Sequence, residues 1–316
     1  MKNPNLSTHF SATLLNNSGL ISNQLPIVRK KMKLYYYAFS GHKWGLDRVK
    51  RGVALIKALK EQGVEVQLLV NDFRAGLAAK DFGVRDSVTV ETIMDVDVLA
   101  QKGDVVFIDT PEEDRGRIER YSKEYTLFHI VDDDSTVSNH GEIVMHPKSD
   151  ELSSIIVDDE YFDILEKEKR TLFFFGDADY DKEVLAHSDF FQVTGMELIL
   201  GHYFFVKYED DLAKIFKTLH EPEEYSELIR TSSRVITASP QCAFEAISAQ
   251  AEVIYMSREK DSESLLEEMT LFGIKIIDYF NQDKLLSLIA EFSISEKKVP
   301  NKSSEIALKV MNRINL

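Results

Sequence analysis

The sequence predicts an α/β protein with two Rossmann-like, doubly wound parallel-sheet domains that face each other across a cleft. Short apolar runs of strand length alternate with segments whose apolar residues recur at helical spacing. This alternation weakens once, between residues 135 and 169, and then resumes. The 316 residues, 44% of them hydrophobic, suffice for two ordinary cores. We therefore expect domains at residues 32–154 and 155–316.

The elements expected in the first domain alternate in order. Its strands are predicted at residues 34–39, 64–70, 88–90, 104–108 and 125–131. Its helices are predicted from Leu46 to a stop at Gly63 and at residues 92–101 and 114–124. Strands that alternate with helices form a parallel sheet, because each helix carries the chain back to the starting edge.

The elements expected in the second domain follow a connecting region that contains one short helix. Its strands are predicted at residues 171–175, 196–200, 204–206, 234–237, 252–255 and 274–277. Its helices are predicted at residues 210–217, 225–231, 242–249, 263–271, 282–292 and 303–315. Residues 1–31, rich in Asn and Ser, are expected to form a disordered tail. Because Met32 directly precedes the first strand, this tail can also be an upstream extension of the natural start.

Composition excludes several classes of function. The formal charge is −15 and no long basic stripe occurs, so nucleic acid is not an expected partner. No apolar run approaches the roughly 20 residues of a membrane helix, so no integral membrane segment is expected. The single cysteine, Cys242, excludes an intramolecular disulfide framework and a Cys-based zinc site, and favours a reducing, cytoplasmic location. Asp177, Asp179 and Asp181 lack the Gly and Glu of a calcium loop, so no metal is expected.

A Ser-Gly-His turn after the first strand is the first candidate site. Gly41 and His42 lie where a parallel sheet usually receives its ligand, which makes His42 a candidate acid or base. The alternative is a turn glycine followed by a capping or surface histidine. Arg48 and Arg51, with nearby lysines, favour contact with a phosphate-bearing ligand, although they can equally form a solvated helix face.

Carboxylates follow two further strands of the first domain. Asp109 and the run that begins at Asp132 both come directly after apolar strands, so they are expected at the same crevice edge. Such carboxylates can orient a histidine, hold sugar hydroxyls or bind a divalent metal. The alternative is helix capping and strand-end solvation.

The segment 237–246 is the candidate nucleotide loop. Small polar residues lead into a helix whose first N–H groups can hold a diphosphate, with Glu245 taking ribose hydroxyls. Alternatively, Ser239 is simply the N-cap and Pro240 the first helical residue. Cys242 is expected to be a small core residue rather than a nucleophile.

Taken in order, these segments resemble the nucleotide-sugar hydrolases of the pseudaminic acid pathway, relatives of the peptidoglycan UDP-GlcNAc transferases with the GT-B fold. The matching segments are residues 39–42, the helix start at Arg51, residues 107–109, residues 130–134 followed by His140 and a short strand at 142–145, residues 175–179 and residues 239–246.

The resemblance implies a cytoplasmic enzyme that releases UDP from a UDP-sugar without a cofactor. His42 would be the general base for the attacking water, with Asp109 or Asp132 orienting it. Nucleotide contacts would fall to Gly41, Gly176, Ser239, Gln241 and Glu245, and phosphate or sugar contacts to Arg48 and Arg51. A glycosyltransferase using a UDP-sugar donor and a non-catalytic nucleotide-sugar-binding protein are the alternatives, and the oligomeric state stays open.

Overall fold

The first strand shows why the chain folds into layers. A computed structural model describes residues 32–112, 116–133, 136–192, 194–291 and 300–316; the expected tail at 1–31 and Asp134 lie outside these residues. Strand β1 (Leu34–Ala38) is buried along its whole length. Its odd and even residues enter different cores, Leu34 and Tyr36 on one face and Tyr35 and Tyr37 on the other. A strand buried on both faces is typical of a parallel sheet covered by helices.

The first sheet has six parallel strands in the order β3-β2-β1-β4-β5-β6. After β1, its strands are β2 (Val66–Val70), β3 (Ser87–Thr89), β4 (Val105–Asp109), β5 (Thr126–Ile130) and β6 (Ile143–Met145). Its helices are α1 (Asp47–Glu61), α2 (Phe73–Asp81), α3 (Val96–Leu99) and α4 (Arg117–Glu124), with a 3₁₀ turn at Ile93–Asp95. A second 3₁₀ turn, Asp159–Phe162, is the short helix of the connecting region.

The second sheet repeats the same topology, with strand order β12-β11-β10-β7-β8-β9. Its strands are β7 (Glu168–Phe174), β8 (Glu197–Ile199), β9 (Leu219–His220), β10 (Ser232–Thr237), β11 (Glu252–Met256) and β12 (Lys275–Ile277). Its helices are α5 (Glu183–Ala186), α6 (Ser188–Gln192), α7 (Val206–Leu212), α8 (Tyr225–Thr231), α9 (Pro240–Ser248), α10 (Glu263–Phe272) and α11 (Gln282–Ala290), with a 3₁₀ turn at Pro222–Glu224. Both sheets therefore have the doubly wound order in which the strand sequence reverses once, and the predicted fold class is confirmed.

The structure differs from the local expectations in several places, and two of them have a clear physical cause. The strand predicted at residues 204–206 is wrong: Val206 begins α7, with Phe205 and Val206 exposed, and the last strand at this edge is β9. An aromatic and β-branched run favours a strand only when the sheet buries it. Helix α2 was not predicted, because its buried face consists of Ala75, Ala78 and Ala79 and gives little apolar periodicity.

The last helix of the chain, α12 (Ser303–Arg313), packs on the first sheet. Its residues Ile306, Ala307 and Val310 lie in the same core as β1 and α1. Helix α1 also contacts α9 of the second sheet. Helix α1 thus lies between the two sheets, and its N-terminal end reaches the loops that carry the candidate site.

Candidate active site

A cavity of about 730 Å³ lies where the carboxyl ends of both sheets meet. The loops that line it follow β1, β4 and β5 in the first sheet and β7, β10 and β11 in the second. In each sheet the strand order reverses between two of these strands, β1 and β4 in the first and β7 and β10 in the second. Ligands of open α/β sheets bind at this reversal point, so the cavity is the candidate site of the described chain.

Arg51 joins the two predicted carboxylates on the first-sheet side. Its Nε and Nη2 donate to Asp109 at 2.6 and 2.5 Å, and its Nη1 and Nη2 donate to Asp132 at 2.5 and 3.1 Å. The hydroxyl of Tyr36 donates to Asp109 at 2.8 Å. Both carboxylates therefore lie at one edge, as their positions at the ends of β4 and β5 predict. Arg51 lines the cavity, but its guanidinium is hydrogen-bonded to these two protein carboxylates.

Asp109 and Asp132 differ in access to the cavity. Asp109 is fully buried, whereas the Asp132 side chain is 39% exposed and lines the cavity. Burial opposes the ionisation of Asp132, but Arg51 and Arg48 outweigh it and lower the pKa of this carboxyl. Asp132 is thus a carboxylate that can accept hydrogen bonds from a ligand. Arg48 lines the cavity beside it, with its guanidinium 3.5 Å from Asp109 and 3.7 Å from Asp132.

A buried ion pair connects α1 to the second sheet. The Nζ of Lys50 lies 2.8 Å from one oxygen of Asp177, and Nδ1 of His202 lies 2.8 Å from the other. The ammonium also lies 3.8 Å from the ring centroid of Tyr225. Burial opposes the ionisation of Asp177, but Lys50 and His202 hold the pKa of its carboxyl well below the usual range. Asp177, next to Gly176 in the loop after β7, therefore pairs with Lys50 of α1.

The predicted nucleotide loop is in contact with Asp47 of α1. The Ser239 hydroxyl donates to Asp47 at 2.7 Å, and the Gln241 backbone N–H donates to the other carboxylate oxygen at 3.4 Å. Ser239 also accepts the Cys242 N–H at 3.1 Å, so it is the N-cap of α9. Ser239 and Gln241 line the cavity, as does Gly176.

Glu245 lies behind this loop and does not line the cavity. Its carboxylate accepts hydrogen bonds from Tyr225 at 2.5 Å and from the Gln241 side chain at 2.9 Å. Burial raises the pKa of Glu245 to about 7, against the opposing charge of Lys50. Burial also raises the pKa of the Cys242 thiol to about 12, which fits its predicted place in the core.

His42 lies on an exposed turn beside the cavity lining rather than in it. Gly41 adopts a φ of +140°, and the Gly45 N–H donates to its carbonyl at 2.9 Å, which closes a tight loop before α1. The His42 ring packs against Tyr203 at a tilt of 55°, with 4.8 Å between centroids, and its Nε2 lies 3.5 Å from Arg74. Neither Gly41 nor His42 lines the cavity.

Several cavity residues had no role assigned from the sequence, although His140 belongs to one of the segments that carry the resemblance. Arg258 and Lys260, in the loop after β11, bring positive charge to the second-sheet side. Trp44, the only tryptophan, is 44% exposed at the wall, with Arg48 and Lys260 each 5.7 Å from its ring. His140 lines the first-sheet side. Only three-dimensional proximity brings these residues together, since they lie in loops far apart in sequence.

Within the described residues, no cluster of three or more His, Cys, Asp or Glu side chains could hold a metal ion. No helix in that part of the chain is long and apolar enough to cross a membrane.

Comparison with solved structures identifies the fold. The Staphylococcus aureus MnaA–UDP co-structure matches with a TM-score of 0.61 at 15% identity, covering 90% of this chain and 96% of that chain. The chain has a GT-B-like fold. A putative UDP-N-acetylglucosamine 2-epimerase from Listeria monocytogenes matches with a TM-score of 0.54 at 11% identity, covering 90% and 96%. The UDP-GlcNAc 2-epimerase from Methanocaldococcus jannaschii matches with a TM-score of 0.53 at 11% identity, covering 90% and 99%.

No protein-family model matches the sequence, and a search of curated proteins also finds no match. At these identities the structural similarity concerns the fold alone. In this GT-B-like fold, the first sheet contributes Asp132, Arg48 and His140 to the cavity, and the second contributes Ser239 and Arg258.

Proposed function

We propose that this chain is an enzyme that binds a UDP-sugar in the 730 Å³ cavity and hydrolyses it to UDP and free sugar. One observation carries the proposal: the cavity lies at the reversal points of both sheets, and its volume is in the range of small-molecule sites. The GT-B-like neighbours support the ligand class, because they include an MnaA–UDP co-structure and UDP-GlcNAc 2-epimerases.

The second-sheet wall suits the nucleotide diphosphate. The N-terminus of α9 borders the cavity at Ser239, Pro240 and Gln241, and the helix dipole favours negative charge there. Arg258 and Lys260 add cationic side chains from the neighbouring loop. Gly176 lines the same wall with a φ of +136°. Among the described residues other than its chain neighbours, none has a heavy atom within 4 Å of the position that a Cβ would take. A phosphate can therefore approach this backbone closely.

The first-sheet wall suits the sugar. Asp132, kept ionised by Arg51 and Arg48, can accept hydrogen bonds from sugar hydroxyls. Hydrolysis also requires a group that takes the proton from the attacking water. Imidazole is the side chain best matched to this task near neutral pH. We assign this role to His140, because it lines the cavity whereas His42 does not.

The test measures UDP release from a panel of UDP-sugars without any acceptor, together with UDP binding. Trp44 fluorescence reports the binding, because the only tryptophan of the chain lines the cavity. We expect His140→Ala to lower kcat by about 10²–10⁴-fold while it leaves the UDP affinity near the wild-type value. The matched control is His187→Ala, which removes an exposed imidazole that stacks on Phe280 outside the cavity.

The same measurement on His42→Ala compares the two candidate bases. A larger loss of kcat in His42→Ala than in His140→Ala would return the base role to His42. Turnover that appears only when an acceptor is added would identify a glycosyltransferase. Binding of UDP without turnover of any donor, with or without acceptors, would support a non-catalytic nucleotide-sugar-binding protein.

A further inference from the structure

Asp47 places a carboxylate inside the cavity, at the N-terminus of the nine-residue helix α9. It accepts hydrogen bonds from the Ser239 hydroxyl and from the Gln241 backbone N–H. Asp47 belongs to α1, and its partners lie at the start of α9, where Ser239 is the N-cap, 192 positions after Asp47, and Gln241 is in the first turn. A side chain of α1 thus occupies the donors that the start of α9 offers to the cavity, the Ser239 hydroxyl and the Gln241 N–H.

The groups around Asp47 are those of an anion-binding site. Arg48, Arg258 and Lys260 all line the same cavity. The Nη2 of Arg258 donates to the Phe175 carbonyl at 3.1 Å. Its Nε is buried and has no hydrogen-bond acceptor among the residues that the structure describes. A buried guanidinium N–H without an acceptor is costly, so the described residues leave part of the hydrogen-bonding capacity of Arg258 unmet.

We infer that Asp47 is an internal competitor that occupies the diphosphate position and must leave when the nucleotide binds. This inference rests on the proposed function. The Asp47 carboxylate and a phosphate cannot both accept from the Ser239 hydroxyl and the Gln241 N–H, because two anions at hydrogen-bond distance from the same donors repel each other. Since Asp47 also links α1 to the second sheet, its displacement releases one contact between the sheets. Anion binding and separation of the two cavity walls are therefore coupled.

The experiment compares wild type with Asp47→Asn and Asp47→Ala, using calorimetric titration with UDP and with inorganic pyrophosphate. Asn keeps an oxygen that can accept the Ser239 hydrogen bond and removes only the charge, whereas Ala removes both. We expect both ligands to bind each variant at least about tenfold more tightly than they bind wild type, the scale of one lost charge-assisted hydrogen bond. The gain should shrink at high ionic strength, because salt screens the repulsion. Thermal unfolding checks that each variant is folded.

Lys57→Met is the matched control. The Lys57 ammonium lies 2.6 Å from Asp158, and neither residue lines the cavity. Removing this ion pair between α1 and the connecting region should leave both affinities unchanged.

Two results separate this inference from the proposed function. If folded Asp47→Asn binds pyrophosphate no more tightly than wild type, Asp47 is not a competitor and the inference is overturned. If Asp47→Asn gains affinity for pyrophosphate while neither protein binds UDP, the inference stands and the proposed nucleotide ligand fails.

Discussion

Substitution of Lys50 and Asp177 tests whether this buried ion pair stabilises the packing of α1 against the second sheet. Their side chains are 4% and 1% exposed, and 2.8 Å separates Nζ from Oδ2. Lys50→Met leaves a buried carboxylate with His202 as its remaining ionic partner. Asp177→Asn leaves a buried ammonium that lies against aromatic rings and has Glu245 and Asp47 as its remaining nearby carboxyl groups. Removing one partner of a buried ion pair costs about 3–5 kcal/mol. We expect each single variant to lose this much free energy of unfolding.

The assay is a double-mutant cycle measured by urea denaturation at pH 7. The double variant Lys50→Met/Asp177→Asn should lose less stability than the sum of the single losses, by about 2–3 kcal/mol, because it leaves no charge unpaired. Lys123→Met is the control: Lys123 lies 2.6 Å from Glu119, but these side chains are 68% and 49% exposed. An exposed pair of this kind contributes below about 0.5 kcal/mol.

Additive losses in the double variant would refute the reasoning, since they would mean that the two charges do not depend on each other. A loss below about 1 kcal/mol in Lys50→Met would refute it as well. In that case water or His202 would solvate Asp177 well enough, and the burial of the pair would carry little energy.

Two further variants test the packing and the protonation described above. Burial raises the pKa of Glu245 from 4.5 to about 7, so the folded state binds more protons than the unfolded chain between these values. The wild-type free energy of unfolding should therefore fall by up to about 3 kcal/mol as pH rises through this window. Urea titrations from pH 4.5 to 8 should show a flatter profile in Glu245→Gln, and parallel profiles would contradict the shift. In Gly52→Ala, the added Cβ would lie 2.6 Å from the ring of the fully buried Tyr36. Overpacking costs about 1–3 kcal/mol and should outweigh the helix propensity of about 1 kcal/mol gained over glycine; a more stable variant would show that the ring can move aside.

The layers of this fold could be predicted from the sequence because their causes are local. A run such as 34–38 or 253–256 lacks charged residues and is buried on both faces, and such strands alternate with segments of helical spacing. Local sequence patterns do not predict an element correctly where its burial depends on residues that are distant in sequence. Phe205 and Val206 have strand propensity, yet no neighbouring strand covers them, and both are exposed at the start of α7.

The loops of the candidate site were predictable, but the partners of their side chains were not. The sequence places Asp109 and Asp132 at one sheet edge, and both are there. It also offers Arg51 to a ligand, whereas the structure pairs Arg51 with these two carboxylates. The role of Asp47 had no local signal, because an acidic residue in the first turn of a helix ordinarily complements the helix dipole. Its contact with Ser239 depends on how the two sheets meet.

Helix α12 lies far along the chain from the first sheet, although it completes the core of that sheet. The core beneath β1 and α1 is completed by Ile306, Ala307 and Val310, which leave the ribosome long after the first sheet has emerged. Until then, the face of α1 that α12 covers stays open to solvent, and chaperones can reach it. A fragment cut near residue 155 would keep this uncovered apolar face permanently. The first sheet therefore becomes a complete folding unit only after residue 310 has been made.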